Sequence, residues 1–111
     1  MGEILLKVHE SYRWVVAVCD KDVFGRKLCG PGVGSRESEA GRRVMDVSGV
    51  FFAGEEMSLA EAEREIVRCA LEDATFNFVG EKSVELAKKL GIVVDGGVID
   101  IDGVPVALVL L

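Results

Sequence analysis

Hydrophobic and polar residues alternate near the start of the chain, which predicts a pair of β-strands. In the first segment, Ile4–His9, hydrophobic residues recur at every second position on one face. The second segment, residues 13–19, is apolar on both faces, so we expect it to lie centrally in a sheet. Only residues 10–12 separate the two segments, and this spacing is typical of an antiparallel hairpin with a short loop.

A period of three to four residues replaces this alternation in the second half of the chain and predicts two helices. Ser58 and Glu61 match a capping box, and the apolar stripe behind them predicts a helix over residues 59–74. A second stripe predicts a helix over residues 81–90, which a glycine follows. We expect residues 75–79 to form the junction between these two helices.

Shorter apolar runs predict the remaining strands. Residues 43–52 are one such run, and residues 98–101 and 104–111 flank Asp102-Gly103, a dipeptide typical of a two-residue hairpin turn. The last strand is apolar on both faces, so the helices and another layer, or a second copy of the chain, must cover it. A homodimer through this C-terminal strand is therefore one alternative.

Together these elements predict a single α+β domain over residues 1–111. The order strand, strand, loop, strand, helix, helix, strand, strand gives a mainly antiparallel sheet of about five strands, with two helices packed on one face. No apolar run approaches the roughly 20 residues of a membrane-spanning helix, so we expect no membrane partner. The N-terminus also lacks the basic head of a secretory signal, and we expect a cytoplasmic protein.

The segment over residues 20–41 has no sustained period and carries glycines among charges, so we expect a long functional loop. The net charge of −6 argues against whole-surface binding of duplex DNA. Residues 21–43 nonetheless hold six basic and three acidic residues, a charge of +3, whereas the rest of the chain carries −9. This local positive charge is a candidate surface for binding RNA or an acidic protein. Its candidate contact residues are Arg26, Lys27, Arg36, Arg42 and Arg43.

Few residues of the chain could carry catalysis or hold a cofactor. The glycine segment over residues 30–34 lacks the spacing of a phosphate-binding loop and of a dinucleotide fingerprint. The single His9 cannot complete a structural zinc site, and Cys19, Cys29 and Cys69 fit reduced thiols in a cytosolic protein. His9 and Cys19 could act as base and nucleophile only if the hairpin brought them together. We therefore identify no catalytic residues, no cofactor and no metal ligands, and favour a non-enzymatic role.

Several segments of the chain resemble the motifs of a known family. These segments are Val15-Val16-Ala17-Val18-Cys19-Asp20 followed by Phe24-Gly25-Arg26, then Ala74-Thr75-Phe76-Asn77-Phe78-Val79-Gly80-Glu81, and finally Ile101-Asp102-Gly103-Val104-Pro105. Together they cover most of the chain, which resembles the archaeal domain-of-unknown-function family 424. Members usually continue the last motif with His-Ala-Gln, whereas this chain has Val106-Ala107-Leu108, which weakens an enzymatic interpretation. The resemblance implies a cytoplasmic role associated with the archaeal translation apparatus and no named reaction.

These observations favour a non-enzymatic interaction module that works with translation components and contacts RNA or an acidic protein through the basic glycine-rich loop. The alternative is a small-molecule-binding protein or enzyme with a pocket between the sheet and the predicted helix junction. Asn77 and Gly80 are the candidate contact residues at that junction. The Asn77 amide has a structural use as well, since it could satisfy backbone groups where the helices meet.

Overall fold

The structure is a computed structural model that describes residues 2–10, 12–31, 42–47, 49 and 51–110. The described strands form a six-stranded sheet in the order β5-β1-β2-β6-β8-β7, beside a two-stranded sheet of β3 and β4. In chain order the elements are β1 (Ile4–His9), β2 (Val15–Asp20), β3 (Lys27–Pro31), β4 (Arg42–Asp46), β5 (Glu55–Met57), α1 (Leu59–Ala70), β6 (Thr75–Val79), α2 (Glu81–Lys89), a 3-10 helix (Asp95–Gly97), β7 (Ile99–Ile101) and β8 (Val104–Leu110).

Strand β2 is central in the larger sheet, as its apolar sequence predicts, and pairs with β1 and β6. β1 and β2 form the predicted antiparallel hairpin, from Ile4 opposite Asp20 to His9 opposite Val15. β2 and β6 run parallel, and β8 returns antiparallel to β6. The carboxyl ends of β2 and β6 therefore lie at the same edge of the sheet.

Both helices pack on one face of this sheet, as predicted. A capping box starts α1, where the Glu61 N–H donates to the Ser58 hydroxyl at 3.2 Å and the Ser58 N–H donates to the Glu61 carboxylate at 2.9 Å. Two stacked phenylalanines, Phe76 and Phe78, lie in the core beneath the helices with ring centroids 5.3 Å apart. Other buried members of this core are Ile4, Leu6, Val16, Val18, Ala62, Ile66, Cys69, Val84 and Ala87.

The opposite face of the sheet carries a second core beneath the β3–β4 hairpin. Leu28 of β3 and Val47, just after β4, are fully buried there. They pack in one cluster with Cys19 of β2, Val79 of β6 and Val106 of β8. β2 is apolar on both faces because it lies between these two cores.

The helix junction predicted at residues 75–79 is wrong, because this segment is strand β6. α1 ends at Ala70, short of the predicted residue 74, and Asp73 turns the chain with a φ of 58°. The two phenylalanines of β6 are buried against the helices, while Asn77 between them is half-buried on the other face. This alternation has the period of a strand.

The loop predicted over residues 20–41 contains strand β3 within its described part. β3 carries a glycine and a proline, both of which disfavour strands, but its pairing with β4 and the burial of Leu28 outweigh that preference. The strand predicted over residues 43–52 is confirmed only in part, since β4 ends at Asp46. β5 was not predicted.

The C-terminal hairpin is confirmed. Asp102 and Gly103 have positive φ values of 56° and 80°, as a tight turn between two strands requires. The sheet has one strand more than predicted, but the α+β class, the mainly antiparallel pairing and the helices on one face are all confirmed. Neither α1 nor α2 is long enough to cross a membrane, and the same holds for every helix of the described residues.

Candidate functional site

The edge of the sheet where β2 and β6 end has the geometry of a binding site. Asp20 is the last residue of β2, and Gly80 joins the end of β6 to the start of α2. In open sheets with helical connections, ligands bind outside the carboxyl ends of parallel strands. The residues at this edge therefore define the candidate site.

Asp20 is buried at this edge, where the start of α2 binds its carboxylate. One oxygen accepts hydrogen bonds from the Ser83 backbone N–H and from the Ser83 hydroxyl, each at 2.8 Å. The other oxygen accepts from the Lys82 N–H at 2.9 Å. The two backbone donors, of Lys82 and Ser83, are N–H groups that a helix start leaves without partners inside the helix, and the helix dipole favours a negative charge there. Asp20 thus connects the end of β2 to the start of α2.

Gly80 allows this connection because it has no side chain. Its φ of 112° lies in the left-handed region that favours glycine. A Cβ atom at this position would lie 2.4 Å from the Asp20 Cγ. The Gly80 N–H donates to the Pro105 carbonyl at 2.9 Å, which joins the site to β8. Gly80 therefore shapes the site through its backbone.

A cleft of about 380 Å³ opens beside this junction. Its volume lies at the lower end of the range for small-molecule sites. The turn after β2, the start of α2 and the β7–β8 turn form its walls. The lining residues are Asp20, Asp22, Val23, Arg26, Glu81, Lys82, Gly103, Val104 and Pro105.

The two cations of the cleft differ in their surroundings. The Lys82 ammonium lies 3.2 Å from the Glu3 carboxylate, and this hydrogen bond raises the pKa of Lys82. Arg26 is exposed and has no ion-pair partner among the described residues. Within the described residues, Arg26 is therefore the cation of the cleft without an ion pair, and the carboxylates of Asp20, Asp22 and Glu81 line the same cleft.

The predicted basic residues are distributed along the β3–β4 hairpin. Arg26 and Lys27 are adjacent at its base, where the turn after β2 leads into β3. Arg42 and Arg43 begin β4, opposite the end of β3. Four residue steps, about 13 Å, separate the two ends of this ladder. The structure thus places Arg26 and Lys27 beside each other and Arg42 and Arg43 farther along the hairpin, while Arg36 lies outside the described residues.

Asn77 lies in the middle of β6, between Ala17 of β2 and Leu108 of β8. The use predicted for its amide at a helix end is wrong, because this position is inside a strand. Three residue steps, about 10 Å, separate Asn77 from Gly80 along the chain. Neither Asn77 nor Gly80 is among the residues that line the cleft, but Gly80 lies against the lining residue Asp20 and precedes the lining residue Glu81.

Cys19 and His9 do not form a nucleophile and base pair. Cys19 lies opposite Leu5 in the first hairpin, whereas His9 lies opposite Val15, so four residue steps or about 13 Å separate them. Burial raises the pKa of the Cys19 thiol to about 12, which keeps the thiol protonated at neutral pH. The His9 ring stacks on Phe51 with centroids 4.6 Å apart, and its Nε2 lies 3.0 Å from the Phe51 carbonyl oxygen.

Asp20 and Lys82 are not among the site residues predicted from the sequence. A polar residue directly after the apolar strand β2 is the available signal for Asp20. That signal becomes meaningful only once residues 75–79 are known to pair parallel to β2, since this pairing brings the start of α2 to Asp20. Among the described residues, no group of three or more His, Cys, Asp or Glu side chains is placed to hold a metal ion.

Comparison with known proteins supports both the fold and a family. The fold is similar to that of the crystal structure of an uncharacterized conserved protein from Methanopyrus kandleri, with a TM-score of 0.75 and 23% sequence identity. The match covers 96% of this chain and 91% of that chain. At this identity the likeness shows the fold alone. No curated protein matches the chain. The family model described as "Protein of unknown function (DUF424)" matches residues 8–111, so the chain belongs to that family.

Proposed function

We propose that this protein is a non-enzymatic interaction module of the translation apparatus in the cytoplasm, and that it contacts RNA or an acidic protein surface. The contact surface is the β3–β4 hairpin with the turn before it. The observation that carries the proposal is the pair of adjacent exposed cations, Arg26 and Lys27, at the base of this hairpin. The setting in translation rests on the resemblance of the sequence motifs to their family.

Two cations near Arg26 differ from it, because each of them forms an ion pair with a glutamate. The Lys21 ammonium lies 3.1 Å from the Glu56 carboxylate, and Lys82 lies 3.2 Å from Glu3. In the described part of the chain no acid forms such a pair with Arg26. An arginine that is exposed and unpaired can offer several N–H donors to a phosphate or a carboxylate.

The charge distribution of the whole chain supports the same surface. Residues 21–43 carry a charge of +3 and the rest of the chain carries −9. An anionic partner is repelled by most of the molecule and attracted to this segment, so the field orients the encounter. The hairpin is therefore the surface that an RNA backbone or an acidic protein would contact.

Binding to fluorescently labelled ribosomal RNA and tRNA fragments at several salt concentrations tests the proposal. We expect the double variant Arg42→Ala, Arg43→Ala to bind about tenfold more weakly, because two phosphate contacts are lost. The slope of log affinity against log salt should fall by about 1.4 for single-stranded RNA. A matched double variant on the helices, Arg64→Ala, Lys89→Ala, removes the same charge elsewhere and should bind as the wild type does.

One outcome of this experiment tests the role of the hairpin, and another distinguishes RNA from an acidic protein as the partner. Equal affinity for the wild type, the Arg42→Ala, Arg43→Ala variant and the Arg26→Ala, Lys27→Ala variant would remove the hairpin from the interaction. Competition by an acidic peptide such as polyglutamate at the same concentration as RNA would identify an acidic protein as the partner instead. The variant Arg26→Ala, Lys27→Ala reports whether the base of the hairpin contributes to the same contact.

We propose as a second candidate function, whether in a binding protein or an enzyme, the binding of a small molecule in the cleft beside Gly80. The lining of this cleft combines the carboxylates of Asp20, Asp22 and Glu81 with the cations Arg26 and Lys82. The cleft measures about 380 Å³ and includes the exposed guanidinium of Arg26. A thermal-shift screen with small polar molecules, phosphates and carboxylates among them, should find a ligand that raises the Tm of the wild type. The shift should disappear in Arg26→Ala and persist in Arg42→Ala, Arg43→Ala. If the ligands raise the Tm of Arg26→Ala as much as that of the Arg42→Ala, Arg43→Ala variant, the cleft is excluded as the binding site.

A further inference from the structure

Strand β8 pairs with β6 over residues 106–110 along one edge, and its other edge is paired only at the start of the strand. β6 pairs with β8 as far as Leu110. On the opposite edge, β7 pairs only with residues 104–106. No described strand pairs with that outer edge over residues 107–110. An unpaired edge presents N–H and C=O groups that can pair with another strand.

The hydrogen-bond pattern identifies the unpaired backbone groups. The Gly80 N–H donates to the Pro105 carbonyl, so Pro105 and every second residue after it direct their backbone groups towards β6. The intervening residues direct theirs to the opposite edge, where β7 pairs with Val106. Leu108 and Leu110 are therefore the residues whose outward N–H and C=O groups have no partner strand in the described structure.

Within the described part of the chain, this edge lacks charge and proline, two features that usually prevent strand pairing. Residues 107–110 contain no charge and no proline, and Leu108 is 60% exposed. The strands at the two ends of the sheet are protected in comparison, since β5 has three residues with two glutamates and β7 has three residues with an aspartate. Short length and charge are common protections of edge strands. Among the described strands, the outer edge of β8 is thus an uncharged edge that is unpaired over residues 107–110 and exposed at Leu108.

We propose that this edge pairs with the same edge of a second copy of the chain, antiparallel about a two-fold axis at Val109. In this register Leu108 of one copy lies opposite Leu110 of the other. Each such pair exchanges both N–H···O bonds, because these residues direct their backbone groups outward. The contact is isologous, since the same residues serve both copies. The sheets of the two copies then join into one continuous sheet.

The sequence at the edge favours a second copy over an unrelated strand. The order Leu108, Val109, Leu110 reads the same in both directions, so a two-fold axis at Val109 places apolar residues against apolar residues. No charge is buried, and the pairing of β7 with residues 104–106 is left intact. The proposal is independent of the RNA contact, because none of the basic hairpin residues lies on β8.

Sedimentation equilibrium between about 1 µM and about 1 mM, a range that covers weak homodimers, tests the proposal. We expect the molar mass to rise from 12.0 kDa to about twice that value. The variant Leu108→Pro removes the outward N–H and leaves the β6–β8 hydrogen bonds intact. It should weaken dimerisation at least about 20-fold, because one donor is lost in each copy. The Tm of the variant, measured at low concentration, checks that it is folded.

A matched pair of substitutions controls for the loss of any exposed leucine. Leu108→Lys should abolish the dimer, whereas Leu71→Lys at the end of α1, where the leucine is 80% exposed, should leave it unchanged. Hydrogen exchange of the wild type gives a readout that needs no variant, since the amides of Leu108 and Leu110 should become protected as concentration rises. A mass of 12.0 kDa throughout, a dimer unaffected by Leu108→Pro, or unprotected amides at high concentration would each overturn the proposal.

Discussion

The contact between Gly80 and Asp20 shows how one residue without a side chain can define the candidate site. Asp20 reaches the backbone of α2 only because nothing projects from Gly80 towards it. The positive φ of Gly80 also directs the chain from the strand into the helix. A side chain at this position would disturb both the backbone and the carboxylate, so we expect little tolerance for substitution.

Gly80→Ala should lower the free energy of unfolding by about 3 kcal/mol, because it combines a strained φ with the displacement of a hydrogen-bonded carboxylate. Gly91→Ala is the matched control. Gly91 also has a positive φ, 76°, but a Cβ there would meet no atom within 4 Å. Its replacement should therefore lower the free energy of unfolding by only about 1 kcal/mol. Urea unfolding measures both, and equal losses would show that the contact with Asp20 carries no energetic weight.

At the scale of secondary structure elements, local signals predict some elements of this fold well. The capping box at Ser58 and the Asp102-Gly103 turn both form as predicted, because each depends on residues within four positions of one another. The first hairpin is also predictable from its short connection. These features place α1 and four strands, and the apolar stripe over residues 81–90 places α2, which is enough to establish the α+β class.

Strands β3 and β6 could not be predicted with the same reasoning, because distant partners stabilise them. β6 pairs with β2, about sixty positions earlier in the chain. Apolar and polar residues alternate in β6 over only five positions, between two helical patterns. The local sequence therefore predicts a junction between helices. The residues of the candidate site likewise divide into those that local sequence predicts and those that depend on distant strand pairing. Arg26 and Lys27 are visible as local charge, whereas Asp20 and Lys82 become neighbours only through the parallel pairing.

At the scale of the whole molecule, β2 lies between two apolar cores, and its successive residues belong to one core and the other in turn. Val16 and Val18 face the helices, while Ala17 and Cys19 face the β3–β4 hairpin. The same hairpin therefore covers one core and carries the proposed contact surface. Substitutions for the RNA tests should accordingly be confined to its charged residues, because Leu28 of the hairpin is fully buried.

The second core also determines how the stability of the molecule responds to alkaline pH. Burial, with a smaller contribution from the charge of Asp20, raises the pKa of Cys19 from 9.0 to about 12. The unfolded chain therefore loses this proton at a lower pH than the folded protein does. The stability associated with the neutral thiol is complete below pH 9.0 and declines as the pH rises towards about 12. The decline is about 1.4 kcal/mol per pH unit in this interval.

Comparison with Cys19→Ala isolates this effect, because all other titrating groups are shared by the two proteins. At neutral pH the variant should be less stable by about 1 to 2 kcal/mol, since it leaves a small cavity in the core. Above pH 9.0 only the wild type loses stability through this thiol, so the difference should shrink by about 1.4 kcal/mol per pH unit. Urea unfolding on both sides of pH 9.0 measures the difference. A constant difference would mean that the folded protein ionises Cys19 as readily as the unfolded chain does, which the closed core beneath the hairpin should prevent.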